Sequence, residues 1–130
     1  MISGIGVDIV QVRRMKRWLE VPGLPERYFH QDELSASFAK GKRAGESLAG
    51  RFAAKEAFGK ALGTGLAGIE LKDIIVVNNR NGKPDIKVTG TALSTLGQNG
   101  ADTVHLSISH ERDNAVAMVV LECRDRKEVP

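Results

Sequence analysis

Glu56 and Lys60 are the residues of this 130-residue chain whose types and spacing point most directly to chemistry. They stand four residues apart in an Ala-rich stretch, Ala44 to Leu62, that is predicted to be helical, so their side chains share one helix face. The carboxylate can hold Mg²⁺ and the ammonium group can neutralise a phosphate oxygen. The alternative is an exposed salt bridge, which adds little to stability. Taken alone, the pair favours the salt bridge.

A third candidate is Asp8, which follows two glycines in an alternating stretch, Gly-Ile-Gly-Val-Asp, at residues 4–8. In a strand, Asp8 shares a face with Gly4 and Gly6, while Ile5 and Val7 lie on the opposite face, as in a half-buried strand. Glycines leave room for another group to approach the strand and its carboxylate. A metal or a phosphate fits that space. The other interpretation, which the five residues alone favour, is a strand-end acid beside packing glycines.

Two predicted turns carry further polar groups. Residues 107–110, Ser-Ile-Ser-His, bring two hydroxyls and an imidazole to the mouth of a turn. His110 keeps the strand alternation of Leu106 and Ile108, so capping of the core and contact with a phosphate are equally compatible with its position. Residues 81–84, Asn-Gly-Lys-Pro, are mainly a turn signal and only weakly a ligand-contacting loop.

A basic helix face is predicted near the N-terminus, formed by Arg13, Arg14, Lys16 and Arg17. Such a face is more often solvated than bound to a partner. If it binds, it suits an acidic partner helix as well as nucleic acid. Aromatic residues are only 5% of the chain, which argues against stacking on single-stranded nucleic acid.

The elements that must position these residues follow from periodicity and from Gly and Pro signals. The order of elements predicts a single α+β domain, residues 1–130, with an antiparallel sheet packed against helices and a frayed tail at about 123–130. Strands are predicted at 2–9, 74–77, 85–88, 104–110 and 115–122, and helices at 10–19, after Pro25, at about 32–41, 44–62 and 91–98.

Composition narrows the class of protein. The chain is 42% hydrophobic and 27% charged, with a net charge of +3, as in an ordinary globular domain. The single Cys123 excludes an internal disulfide and disfavours a structural zinc site. No stretch reaches the roughly 20 apolar residues of a membrane span, and the N-terminal residues do not read as a secretion signal. The sequence therefore predicts a cytoplasmic protein.

The order of the motifs carries more information than any one of them. They are GIGVDI at 4–9, LAGRFAAKEAF at 48–58, GTG at 63–65, NGKP at 81–84 and SISH at 107–110. This series closely resembles the bacterial holo-acyl-carrier-protein synthases of the 4′-phosphopantetheinyl transferase superfamily. The resemblance runs from Met1 to about Glu122, and the block around Arg51 to Ala57 is highly specific.

The resemblance implies the 4′-phosphopantetheinyl transferase fold and an activity. The 4′-phosphopantetheine arm of coenzyme A is transferred to a serine of apo acyl carrier protein, and adenosine 3′,5′-bisphosphate is released. By motif, Asp8 and Glu56 look like Mg²⁺ ligands and Lys60 like the phosphate contact, with Glu56, or a water that it helps to hold, as the base. The residues similar to those lining the coenzyme A pocket are Arg51, Lys60, Gly63, Gly65, Lys83, Pro84 and His110.

The resemblance also implies partners. An acidic acyl carrier protein would meet Arg13, Arg14 and Arg17, and the chain would form a homotrimer with each active site at a subunit boundary. Neither nucleic acid nor a membrane is an expected partner. Two alternative hypotheses remain at this point. One is a nucleic-acid-binding module that uses the basic helix, and the other is a carrier-binding subunit that lacks catalysis. The sequence leaves open whether the carrier serves fatty acid, polyketide or peptide synthesis.

Overall fold

The computed structural model describes residues 1–124; the part of the predicted tail at 125–130 lies outside the described residues. The backbone amides of Cys123 and Arg124 are hydrogen-bonded, to Met1 O and Asp102 Oδ1. The elements are β1 (Ile2–Gln11), α1 (Val12–Leu19), α2 (Leu24–Tyr28), α3 (Gln31–Phe38), α4 (Ala44–Leu62), β2 (Ile74–Asn78), β3 (Pro84–Val88), α5 (Gly90–Gln98), β4 (Thr103–His110) and β5 (Asn114–Glu122).

Two antiparallel sheets organise the chain, and the predicted α+β class is confirmed. The larger sheet has the strand order β1-β5-β4, and the smaller is the β2-β3 hairpin. Helix α4 packs across the larger sheet, where the alternate residues of β5 that face it are buried: Ala115, Ala117, Val119 and Leu121. The small residues of both elements let helix and sheet approach closely.

The space beside the glycines of β1 is filled by a helix and not by a ligand. A Cβ on Gly4 would lie 1.9 Å from the backbone oxygen of Ala61, and one on Gly6 would lie 2.0 Å from that of Ala57. Backbone of α4 therefore fills the space that the sequence left open for a metal or phosphate. Because α4 lies so close to this face of β1, the face also brings Asp8 to the helix.

The opposite face of β1, which carries the apolar side chains, is exposed. In a half-buried strand this face would be the buried one. Ile5, Val7 and Ile9 are 60%, 52% and 67% exposed, and Met118 of the neighbouring strand is 47% exposed. Val7 pairs with Met118 in the sheet register. The glycine side of the strand is thus the packed side, and an apolar sheet face is left open.

Helix α4 is buried on nearly every side, because the sheet, α1, α3 and the β2-β3 hairpin all surround it. Two of its buried residues are charged. Lys55 donates to Glu33 of α3 at 2.7 Å, and both side chains are fully buried. Across residues 1–124, no helix combines the length and the apolar character that crossing a membrane requires.

Candidate active site

Asp8, Glu56 and Lys60 come together where α4 crosses β1. Lys60 Nζ lies 2.9 Å from Asp8 Oδ1 and donates to the backbone oxygen of Val7 at 3.1 Å. The close approach at Gly4 and Gly6 sets this meeting, because it aligns one turn of α4 with Asp8. The Lys60 side chain is 55% exposed and that of Asp8 is 18% exposed. The cluster is therefore open to a substrate.

The Glu56 carboxylate is half-buried beside this pair. Burial, and secondly the negative charge of Asp8, raise its pKa above the ordinary value for Glu, while Arg14 and Lys60 act in the opposite direction. Two carboxylates held near each other in a partly desolvated site repel when both are ionised. The arrangement favours either a proton or a bound cation between them.

The donor set fits one class of metal. Within residues 1–124, no three or more His, Cys, Asp or Glu side chains are grouped to hold an ion by themselves. Mg²⁺ takes one or two protein carboxylates and completes its shell with water and substrate phosphates. Asp8 and Glu56 provide such a pair, whereas the site lacks the ligands that a structural zinc ion needs.

Arg14 occupies a different position from the other basic residues of α1. Its guanidinium stands 5.3 Å from the ring centre of Trp18 and 5.1 Å from that of Phe52. Its charge also acts on Glu56. Arg13, Arg14 and Arg17 are all exposed. Arg14 therefore belongs to the basic surface and also acts on the carboxylates.

A cavity of about 220 Å³ lies on the other side of α4. It collects three of the predicted coenzyme A residues, Arg51, Pro84 and His110. Two further cations, Lys40 and Arg43, line it as well. They belong to the short 3₁₀ segment before α4 and its flank, where the sequence shows no motif, and sequence reasoning missed them. Glu46 lines it too, but Lys40, Arg43 and Arg51 outnumber this one carboxylate, so the cavity suits an anionic ligand.

Arg51 is held firmly in the wall of this cavity. Its guanidinium donates to the backbone oxygen of Val76 through Nη1 and to Asn78 Oδ1 at 2.9 Å through Nη2. Its Nε lies 3.4 Å from the hydroxyl of Ser47. Burial lowers the pKa of Arg51, and the charge of Glu33 partly offsets this. His110 closes the opposite wall, with Nε2 so near Gly50 that a Cβ there would lie 2.9 Å away.

Comparison with known proteins identifies the family. The family model described as the 4′-phosphopantetheinyl transferase superfamily matches residues 4–119. The chain belongs to this superfamily. The holo-[acyl-carrier-protein] synthase of Treponema denticola is 53% identical over 122 residues, covering 94% of this chain and 99% of that protein. The synthase of Clostridium tetani is 44% identical, with 94% of this chain and 97% of that protein covered.

Solved structures agree with this placement. A holo-(acyl-carrier-protein) synthase of Bacillus anthracis in complex with CoA (3′,5′-ADP) is 41% identical with a TM-score of 0.79, covering 95% of this chain and 98% of that one. The synthase of Neisseria meningitidis is 39% identical with a TM-score of 0.81, covering 94% and 99%. The resemblance read from the motifs is therefore confirmed, and the chain is an enzyme of the transferase class.

Three of the predicted coenzyme A residues, Gly63, Gly65 and Lys83, do not line the cavity. Gly63 ends α4 in a left-handed conformation with φ of 83°, and Gly65 donates its amide to Gly59 O at 3.0 Å. They form the turn after Lys60 and do not line the cavity on the far side of α4. The amide of Lys83 donates to Asn79 Oδ1 at 2.9 Å, and its side chain is not among the cavity-lining groups.

The cluster of Asp8, Glu56 and Lys60 and the cavity lie at opposite edges of the larger sheet. Asp8 pairs with Ala117, which pairs in turn with Ile108, a residue of the cavity wall. Asp8 and Ile108 are thus at the same level, two strands and roughly 10 Å apart. Strand β5 and the body of α4 lie between the carboxylates and the cavity. Within residues 1–124 of one chain, the carboxylates and the cavity do not form a single pocket.

Proposed function

We propose that this chain transfers the 4′-phosphopantetheine arm of coenzyme A to a serine hydroxyl of apo acyl carrier protein, with Mg²⁺, and releases adenosine 3′,5′-bisphosphate. The cluster of Asp8, Glu56 and Lys60 carries the proposal, because it places two carboxylates beside an accessible ammonium group. The relatives are named for this synthesis of holo acyl carrier protein, and one related structure contains CoA. The cytoplasm is the proposed location.

Phosphoryl transfer depends mainly on positioning and on neutralising charge. Asp8 and Glu56 are the residues that would hold Mg²⁺, which supplies positive charge beside the diphosphate of coenzyme A. Lys60 uses two of its three N–H donors on Asp8 and Val7 among the described residues. Its exposed ammonium can turn to an oxygen of the attacked phosphate, so that charge developing there is stabilised.

The serine hydroxyl must lose its proton as it attacks phosphorus. Glu56 is the proposed acceptor, either directly or through a water that it holds. Its raised pKa suits this role, since a carboxylate with higher proton affinity accepts a proton more readily. The proton moves from the serine oxygen to Glu56 or that water while the new oxygen–phosphorus bond forms and the bond to the leaving phosphate breaks.

The cavity on the far side of α4 is the proposed site for the nucleotide end of coenzyme A. Arg51, Lys40 and Arg43 give it positive charge, and Pro84 gives it an apolar wall. His110 adds a ring nitrogen on the opposite side. A nucleotide with phosphate groups combines an apolar face with negative charge, which matches this lining.

A homotrimer would bring the carboxylate cluster of one subunit next to the cavity of another. In a cyclic oligomer with head-to-tail contacts, one edge of each subunit meets the opposite edge of the next. The β1 edge carries the carboxylates and the β4 edge carries the cavity wall. The exposed face with Ile5, Val7 and Met118 is the proposed packing surface. One active site would then use Glu56 of one subunit and Arg51 of its neighbour.

Mixing two inactive variants tests this arrangement. Glu56→Gln and Arg51→Gln should each be nearly inactive, because each damages one half of every site. After unfolding and refolding together, some boundaries pair two intact halves, and part of the activity should return. Absence of recovery in a mixed oligomer, with the mass of a trimer established by light scattering, would contradict a shared site.

The acidic carrier protein is proposed to dock on Arg13, Arg14 and Arg17. Since Arg14 also acts on Glu56, Arg17 is the cleaner residue to test. Arg17→Glu should raise KM for the carrier about tenfold, corresponding to roughly 1.4 kcal/mol, with KM for coenzyme A unchanged. The matched control is Lys87→Glu on the exposed side of β3. Equal effects of both reversals would show only a general charge effect.

The decisive experiment is a mass measurement on apo acyl carrier protein incubated with this chain, coenzyme A and Mg²⁺. The carrier should gain the mass of one phosphopantetheine arm. Omission of Mg²⁺ should abolish the gain, and Glu56→Gln should reduce it strongly. No gain with the unmodified chain, or equal activity of Glu56→Gln, overturns the proposal.

A further inference from the structure

In the part of the chain that the structure describes, charged side chains and not another strand hydrogen-bond to the outer edge of β2. Lys55 Nζ donates to the backbone oxygen of Ile74, Glu33 Oε2 accepts from the amide of Val76 at 3.0 Å, and Arg51 donates to Val76 O. Lys55 and Arg51 come from α4 and Glu33 from α3. The hairpin of β2 and β3 is therefore fixed to the helices by three side chains.

Val76 is the point where this attachment meets the proposed nucleotide pocket. Its N–H is bonded to Glu33 and its C=O to Arg51, so one residue is held from both helices. The same hairpin supplies Asn78, which also binds Arg51, and Pro84 of the cavity wall. A shift of Val76 would move the acceptor that orients Arg51 together with that wall.

Glu33 and Lys55 cannot contact a substrate, because both are buried and Lys55 has no N–H group left. Lys55 Nζ donates to Glu33 Oε1 at 2.7 Å, to Leu71 O at 2.7 Å and to Ile74 O, which uses all three N–H groups. Glu33 also accepts from the amide of His30 at 2.9 Å. Both side chains are fully buried. Any effect on the reaction must pass through the groups that they hold.

We propose that Glu33 and Lys55 are positioning residues for recognition of the 3′-phosphate at the nucleotide end of coenzyme A. They fix the free edge of β2, and this fixes the guanidinium of Arg51 and the wall at Pro84. A planar guanidinium binds phosphate well only when its orientation is set. The proposal rests on the proposed function, since it assumes that the cavity takes this part of coenzyme A.

Glu33→Gln separates the two contacts of the carboxylate. With its oxygen toward Lys55 and His30, the amide group of glutamine would face the N–H of Val76, and two donors would oppose each other. The ratio of kcat/KM for coenzyme A to that for 3′-dephospho-coenzyme A should fall about tenfold, the size expected for one charge-assisted hydrogen bond. KM for coenzyme A should rise, whereas kcat and KM for the carrier should not change.

A stability control is needed because Glu33→Gln lowers the melting temperature as well. Leu96→Ala removes buried packing on α5, away from the cavity, and should lower the melting temperature while leaving the coenzyme ratio intact. If Glu33→Gln does not fold, the double variant Glu33→Gln with Lys55→Gln, which removes both charges of the buried pair, is measured instead and should show the same lower ratio.

The outcomes separate this inference from the proposed function. A folded Glu33 variant with an unchanged ratio overturns the positioning role while the transferase reaction stands. An unmodified chain that shows no preference for the 3′-phosphate also overturns it. An unmodified chain that transfers no phosphopantetheine overturns the proposed function, and the positioning role with it. A lower ratio in the Glu33 variant but not in Leu96→Ala supports it.

Discussion

Two lysine–carboxylate pairs link α4 to neighbouring elements, and they are alike in geometry but not in surroundings. Lys60 lies 2.9 Å from Asp8, and Lys55 lies 2.7 Å from Glu33. The first pair has side chains 55% and 18% exposed, and the second pair is fully buried. Lys55 uses all three of its N–H groups within the protein, while Lys60 keeps one N–H group for a ligand. Saturation and burial, more than distance, distinguish a structural pair from a chemical one.

Removing one member of the buried pair gives the largest expected effect on stability. Lys55→Met leaves the Glu33 carboxylate buried and unpaired, which costs about 3–5 kcal/mol in free energy of unfolding. For a domain of this size, that is a large share of the total stability. Urea unfolding followed by circular dichroism measures it. A loss below about 1 kcal/mol, the size typical of exposed pairs, would show that burial does not make the Lys55–Glu33 pair more important for stability.

The same substitution in the exposed pair should affect catalysis instead. Lys60→Met removes the proposed charge on the attacked phosphate, and kcat should fall about 10²–10³-fold, as for loss of one stabilising donor. Its free energy of unfolding should change by less than about 1 kcal/mol. Steady-state rates with saturating coenzyme A and carrier, together with urea unfolding, check both halves. A variant that unfolds easily but retains kcat would reverse the assignment.

Glu56→Gln should increase stability while it strongly reduces activity. Burial and Asp8 raise the pKa of Glu56 in the folded chain, so the ionised form is disfavoured there. The Glu56 contribution to stability is therefore most favourable below its unfolded pKa, about 4.3, and declines as pH rises through the raised folded pKa. The melting temperature of Glu56→Gln should exceed that of the unmodified chain at pH 7, and the difference should disappear near pH 4. A lower melting temperature at pH 7 would contradict this sign.

The smallest expected effect is a difference between the two pairs in how salt changes their contribution to stability. Attraction between exposed charges is screened at high ionic strength, while buried pairs are screened much less. In 1 M NaCl the Debye screening length is only about 3 Å. The small destabilisation by Lys60→Met should therefore vanish at this salt concentration, whereas that of Lys55→Met should persist. Unfolding curves of both variants at low and high salt make the comparison. Equal salt dependence would show that exposure does not set their energetics.

Local signals predicted the elements well. The bounds Ala44–Leu62 of α4 were predicted from its Ala-rich sequence and the glycine that follows, and Gly63 does take the left-handed conformation that ends a helix. Asp8, Glu56 and Lys60 do meet, although periodicity alone favoured a strand-end acid and an ordinary salt bridge. Their order within the family motifs supplied the information that the local pattern lacked.

Features that depend on distant segments were not predicted. Alternation cannot tell which face of β1 is packed, and the glycine face proved to be the packed one because α4 lies against it. Glu33 and Lys55 are 22 residues apart, and neither had a motif role that pointed to the other. Lys40 and Arg43 reach the cavity only because the 3₁₀ segment turns toward β2 and β4.

The contact of β1 with α4 has a consequence for how this protein tolerates mutation. A methyl group at Gly6 would lie 2.0 Å from Ala57 O, so helix and strand must separate by an ångström or more to admit it. Ala57 is the neighbour of Glu56, and the movement would carry Glu56 away from Asp8. In a mutational scan for transferase activity, Gly4 and Gly6 should therefore be as intolerant of substitution as the acids and the lysine, although they contribute no reactive group.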